Sequence, residues 1–193
     1  MANYKRAYEF CKKWEGGKSK DKDDAIAAKG IPKELNEYHT NKGLTWWTYK
    51  DNARAVYNVD PTPAHFLKLT DADIEALLVR VFWNPIRGNE IESEQVAAAI
   101  LDWKFNSGDW AIFYLQKALN KLGANLVEDK AFGPRTLAAI NAADPETLFK
   151  EINSRRKEFY RIVCDPKRGG KVHPKMLAGL LNRVDALEKT FTF

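Results

Sequence analysis

The residue of this chain best placed for chemistry is a glutamate at the end of an amphipathic helix. Glu15 directly follows Trp14 and directly precedes Gly16 and Gly17. Near a helix C-terminus the dipole disfavours a carboxylate anion, and an aromatic neighbour removes water from it, so both effects raise the carboxyl pKa. A carboxylic acid that keeps its proton near neutral pH is what a general acid needs to protonate a glycosidic oxygen. The two glycines leave the backbone open to close approach by a polymeric substrate. The same residues also suit a surface glutamate at which a helix simply stops, and spacing alone favours that plainer reading, because Glu-Gly-Gly is a weak motif.

Other chemistries find less support. The chain has no P-loop, no G-x-G-x-x-G, no H-E-x-x-H and no G-x-S-x-G. His39, His65 and His173 are isolated in sequence and read as surface or capping residues, with His39 nearest the loop that follows Glu15. Cys11 and Cys164 have neither a C-x-x-C partner nor a histidine at ligand spacing, so they read as small core hydrophobes, and no metal or cofactor is expected. Carboxylates remain as the catalysts.

The elements that must position them follow from periodicity. Ala7, Phe10, Cys11 and Trp14 form one stripe of an opening helix that Glu15-Gly16-Gly17 ends. Residues 18–39 are polar, contain Gly30 and Pro32, and read as a long functional loop near which any short strands should lie. Thr45 should cap a helix through Trp47, Tyr49, Ala53 and Val56, broken at Asp60-Pro61-Thr62-Pro63. Thr70-Asp71-Ala72-Asp73 resembles a capping box and opens a helix with Ile74, Leu77, Leu78, Val81 and Phe82 on one face. Asn84-Pro85 stops it before a turn at Arg87-Gly88-Asn89.

Ser93 should cap the next helix, with Val96, Ile100 and Trp103, ending at Ser107-Gly108. Ile112, Leu115, Leu119 and Leu122 mark another. Gly133-Pro134 opens a third with Leu137 and Ile140 inward, and a long helix from about Pro145 to Cys164 carries Leu148, Ile152, Phe159, Ile162 and Val163. Met176, Leu177, Leu180, Leu181, Val184 and Leu187 place the last. With no convincing period-two alternation the fold class is all-α or nearly so, and the boundary between two helical halves falls at Arg87 to Ile91.

The segment Trp14-Glu15-Gly16-Gly17, followed by Thr40-Asn41-Lys42-Gly43-Leu44-Thr45, resembles glycoside hydrolase family 108, the bacterial and phage N-acetylmuramidases also called secretion activator proteins. Their signature runs E-G-G, then D-x-G-G-x-T-x-x-G-I-T. The resemblance gives Glu15 the place of the catalytic acid, aligns Thr40, Gly43 and Thr45 with T-x-x-G-I-T, and puts Leu44 in place of Ile. The family aspartate falls on Asp24, although Ile26 and Ala27 replace its two glycines, the loop to Thr40 is longer, and Asp21 and Asp23 stand close enough to take the same role. Phe82-Trp83-Asn84 matches the aromatic end of the catalytic segment.

Farther on, Ala98-Ala99-Ile100-Leu101-Asp102 with Phe105-Asn106-Ser107-Gly108, then Leu115-Gln116, Gly133-Pro134-Arg135-Thr136-Leu137 and Asn182-Arg183-Val184, resemble the helical peptidoglycan-binding domain that follows. The resemblance thus implies a lysozyme-like helical catalytic lobe at residues 1–90 and a small helical peptidoglycan-binding domain at 91–193. Asp102 and Asn106, four apart on one helix face, either line the substrate groove or satisfy a buried polar network. If Trp47 and Tyr49 face the core, Trp46 points elsewhere, onto a sugar ring.

The function this implies is a lysozyme-type muramidase, of phage-like or endolysin character, that cleaves the β-1,4 bond between N-acetylmuramic acid and N-acetylglucosamine. Glu15 serves as acid, Asp24 as the second carboxylate, and Gly16, Gly17, Thr40, Gly43, Thr45, Trp46, Asp102 and Asn106 line the substrate. A lytic transglycosylase using the same acid and a non-catalytic wall-binding protein are the rivals. Composition agrees with a globular chain: 193 residues, 45% hydrophobic, 30% charged. A net charge of +5 suits an anionic partner, here peptidoglycan glycan strands, with no recognition helix for nucleic acid. A polar N-terminus and the lack of a membrane-spanning run point to synthesis in the cytoplasm without a Sec signal, with the wall or periplasm reached through a holin, an export system or lysis; a monomer is expected.

Overall fold

The computed structural model describes residues 2–14, 30–35 and 38–193. Among these the chain is helical but for one small hairpin: α1 (Tyr4–Trp14), β1 (Thr40–Asn41), β2 (Leu44–Thr45), α2 (Trp46–Tyr57), α3 (Pro63–Lys68), α4 (Asp71–Leu78), α5 (Glu94–Ser107), α6 (Trp110–Lys121), α7 (Pro134–Ala142), α8 (Pro145–Val163) and α9 (Leu177–Thr190). The expected all-α class holds. Contacts divide the chain into two compact units, Tyr8–Phe82 and Trp83–Phe193, the second also taking the residues up to Ala7.

In the first unit, local signals and packing agree. Ala7, Phe10 and Cys11 are buried as the α1 stripe requires. Thr45 caps α2, its Oγ1 accepting from the Thr48 backbone N–H at 3.2 Å. Thr70 and Asp73 form the reciprocal capping box of α4. The core is aromatic: Trp46, Tyr49 and Phe66 pack with ring centroids 5.3 to 5.5 Å apart. Beyond Leu78 the backbone widens into a π-type turn, Val79–Trp83. This delays the apolar stripe by a residue, so Trp83 is buried where Val81 and Phe82 were expected, and those two are only half-buried.

The second unit is built around α8, which packs against α5, α6 and α9. Every residue of α5 from Val96 to Lys104 is buried, so this helix is enclosed on all sides, and Ala97, Ala98 and Ala99 let its neighbours approach closely. Within it lies a charged centre. The Asp102 carboxylate, wholly buried, receives the Arg156 guanidinium of α8 at 2.7 Å and that of Arg183 of α9 at 2.7 Å. Burial alone would raise the Asp102 pKa; the two guanidiniums outweigh it and hold the group ionised.

Trp83 also belongs here, its indole N–H donating to Asn89 Oδ1 at 2.8 Å and its ring lying 5.3 Å from Tyr4. Gly88 makes room for it, since a Cβ there would sit 2.3 Å from the indole. The early residues are joined to this unit by Arg6, which pairs with Glu94 and donates to the Thr190 carbonyl at 2.9 Å. Several expected core positions lie outside it. Leu122 follows α6 at 39% exposure, Met176 belongs to a short 3-10 turn ahead of α9 at 47%, and Ile162 and Val163 are half-buried while Tyr160 and Cys164 on either side of them stay buried.

Candidate active site

Glu15, Gly16, Gly17 and Asp24, with Asp21 and Asp23, lie outside the described residues. The structure describes the elements that flank them in sequence: α1, which ends at Trp14, and the hairpin carrying the T-x-x-G-x-T motif. In that hairpin Thr40 pairs with Thr45 and Asn41 with Leu44. Its two turn residues, Lys42 and Gly43, both have positive φ, 51° and 81°, the left-handed pair that a tight antiparallel turn demands. Glycine meets this freely at Gly43. Lys42 does so for another reason.

The Lys42 ammonium lies 2.6 Å from Asp71 Oδ1, and the Lys12 ammonium lies 2.6 Å from Asp71 Oδ2. Tyr8 adds a hydrogen bond from its hydroxyl to the Asp71 carbonyl at 3.3 Å. One aspartate in the first turn of α4 thus braces the last turns of α1 against the turn of the hairpin. Hydrogen bonds from Lys12 and Lys42, reinforced by their charge, hold the Asp71 carboxyl down to about 2. Asp71 is also favoured where it stands, because an anion in a first helical turn meets the positive end of the dipole. Sequence reasoning placed Asp71 only in a capping segment. Its partners are 59 and 29 residues away, and no local spacing signals them.

A second set of contacts fixes the hairpin from behind. The buried Asn41 amide donates to the Phe66 carbonyl at 2.6 Å, and the Trp46 N–H donates to the His39 carbonyl at 2.8 Å. Thr40 and Thr45 are half-buried. The Thr45 hydroxyl is engaged by the α2 cap, whereas that of Thr40 lies 2.9 Å from His39 Nδ1. His39 was expected at the surface or in a cap but is 3% exposed, because the strand entering the hairpin carries it inward. His65 meets the Tyr49 hydroxyl at 2.9 Å, and His173 caps its own turn by accepting from the Lys175 N–H.

The tryptophans trade the places expected of them. Trp46 is 4% exposed and packs against Phe66, while Trp47 is half-exposed with Lys50 over its ring. The reason lies at the hairpin–helix junction: the bond from the Trp46 backbone N–H to the carbonyl of His39, the residue before β1, turns residue 46 inward before helical periodicity begins. Trp46 is therefore a core residue and presents no face to a sugar. Asp102 is sealed among Arg156 and Arg183, and the half-buried Asn106 accepts from Arg156 at 3.4 Å and from the Tyr160 hydroxyl at 3.3 Å. Both serve a polar network between helices.

Against known families, residues 8–108 match the glycosyl hydrolase 108 model and residues 110–184 match a model described as a predicted peptidoglycan domain. No curated protein matches. Among solved structures the chain resembles SagA of Brucella abortus, with 22% identity over 96% of this chain and 95% of that one and a TM-score of 0.66, a likeness of fold. With more than half its length covered by the first of these models, the chain belongs to the glycosyl hydrolase 108 family and is a peptidoglycan-directed glycoside hydrolase.

Proposed function

We propose that this enzyme is an N-acetylmuramidase in which Glu15 protonates the leaving oxygen of the β-1,4 bond between N-acetylmuramic acid and N-acetylglucosamine. The observation that carries the reading is the Asp71 brace, which ties the helix ending at Trp14 to the hairpin of the T-x-x-G-x-T motif. A brace of this kind has a use if the residue after Trp14 must be held against the hairpin. Asp24 supplies the second carboxylate, as nucleophile if the two carboxyls stand about 5 Å apart or as base for a water if the gap is about 6.5 to 9.5 Å. Gly16, Gly17, Thr40 and Gly43 line the glycan. Residues 1–90 form the catalytic part and 91–193 the wall-binding part, with α5 shared: the glycosyl hydrolase match includes it, and contacts group it with the C-terminal unit.

No helix of the described residues is long and apolar enough to cross a membrane. We take the protein to act as a monomer at the wall, delivered by a holin or an export system. Digestion of purified sacculi by wild type and Glu15→Gln tests the assignment. The variant should lose roughly 10²- to 10⁴-fold in rate, with reducing muramic ends in the wild-type products. A fully active variant would remove Glu15 from the mechanism, and anhydro ends would make the enzyme a transglycosylase.

A further inference from the structure

A groove of about 480 Å³ opens between α6 and α7, far along the chain from Glu15 and wholly inside the segment that matches the peptidoglycan domain. Its α7 wall is a row of methyl groups, Ala138, Ala139, Ala142 and Ala143, ending in the guanidinium of Arg135. Across from it stand Leu119, Leu122 and Leu126. Leu122 is 39% exposed on this rim, which accounts for its departure from the core.

The groove is preformed. Gln116 donates to Asp129 Oδ1 at 2.8 Å and to the Ala131 carbonyl at 3.1 Å while accepting from the Lys130 N–H. Asn120 grips Leu126 by both backbone groups, donating to its carbonyl at 3.0 Å and accepting from its N–H. Two buried or half-buried amides thus hold the connection from α6 to α7 in place, so a ligand need not order it on binding.

The chemistry of the lining selects the ligand. Arg135 is exposed, forms no ion pair with a carboxylate among the described residues, and makes one long contact of 3.4 Å to the Asn125 carbonyl, so its fork is available for a bidentate carboxylate. At about 1.5 Å per helical residue, the wall from Arg135 to Ala143 is about 12 Å long. An extended peptide of about three or four residues spans that distance at roughly 3.3 Å each. Methyl-lined walls offer an apolar surface against which methyl side chains of such a peptide can pack.

We infer that this groove takes the carboxylate end of a peptidoglycan stem peptide, with the terminal carboxylate on Arg135 and its alanine methyls along α7. The inference rests on the peptidoglycan reading of this half of the chain and names its ligand as the peptide rather than the sugar. Calorimetric titration of the full chain with a synthetic stem tetrapeptide ending in D-alanine, as the free acid and as the C-terminal amide, tests it. The acid should bind at least tenfold tighter than the amide, Arg135→Gln should erase that difference, and Ala142→Trp, which fills the groove, should abolish binding of both without lowering the melting temperature. Equal binding of acid and amide to wild type, binding of neither, or undiminished binding to Ala142→Trp overturns it. Glycan strands stripped of stem peptides test Glu15 separately, because cleavage of that substrate does not involve the groove.

Discussion

Asp71 and Asp102 each hold two cations, yet one carboxylate is 53% exposed and the other has no exposure at all. The first joins Lys12 and Lys42 at the surface of the N-terminal unit; the second joins Arg156 and Arg183 inside the C-terminal one. Water competes for the first pair and salt screens it, so its contribution to stability is small and its work is to set geometry. The second is desolvated. Removing its carboxylate would strand two buried guanidiniums, and that difference makes one bridge a fold determinant and the other an alignment device.

The strongest test of this contrast is Asp102→Ala, which should destabilise the protein by about 3–5 kcal/mol. The melting temperature should fall by about 10 °C, given roughly 2–4 °C per kcal/mol in a chain of this size. A fall of only a degree or two would mean that water reaches the cluster and that the two bridges do not differ in kind. Gly88→Ala comes next: with its Cβ 2.3 Å from the Trp83 indole, the ring must move, at a cost of about 1–3 kcal/mol measurable by denaturant unfolding.

Asp71→Asn should have the least effect on stability and a clear one on activity. The melting temperature should stay near that of wild type while kcat/KM on sacculi falls by roughly ten- to hundredfold, as expected when a reacting group is misplaced by about an ångström. The acid limb adds a check. Because folding lowers the Asp71 pKa from 3.8 to about 2, the brace contributes fully above its unfolded value and is lost as pH falls from about 4 towards 2. The Asp71 carboxylate signal in an NMR titration should show that low midpoint in wild type and return to the ordinary range in Lys12→Met/Lys42→Met.

What the sequence disclosed follows the same division. Thr45 as a cap, the Thr70–Asp73 box and Pro134 opening its helix were all legible, because each depends on residues within one turn of each other. Asp102 and Asn106 were correctly placed on one helix face, but their partners 50 to 81 residues away were not legible. The π-type turn at Val79–Trp83 leaves no mark in composition, so the apolar stripe was read one residue early. Trp46 and Trp47 were exchanged because a backbone hydrogen bond to His39 just ahead of the hairpin, invisible in helical periodicity, decides which ring turns inward.

Lys42 carries a cost that the rest of the hairpin does not. A side chain in the left-handed region is disfavoured by roughly 1–2 kcal/mol relative to glycine, so the chain forgoes local stability at this position to keep an ammonium within reach of Asp71. Glycine here would relax the backbone and untie the brace together. Selection for thermal stability and selection for turnover should therefore pull this single position in opposite directions, which makes it a site where a stabilised variant and an active one part company.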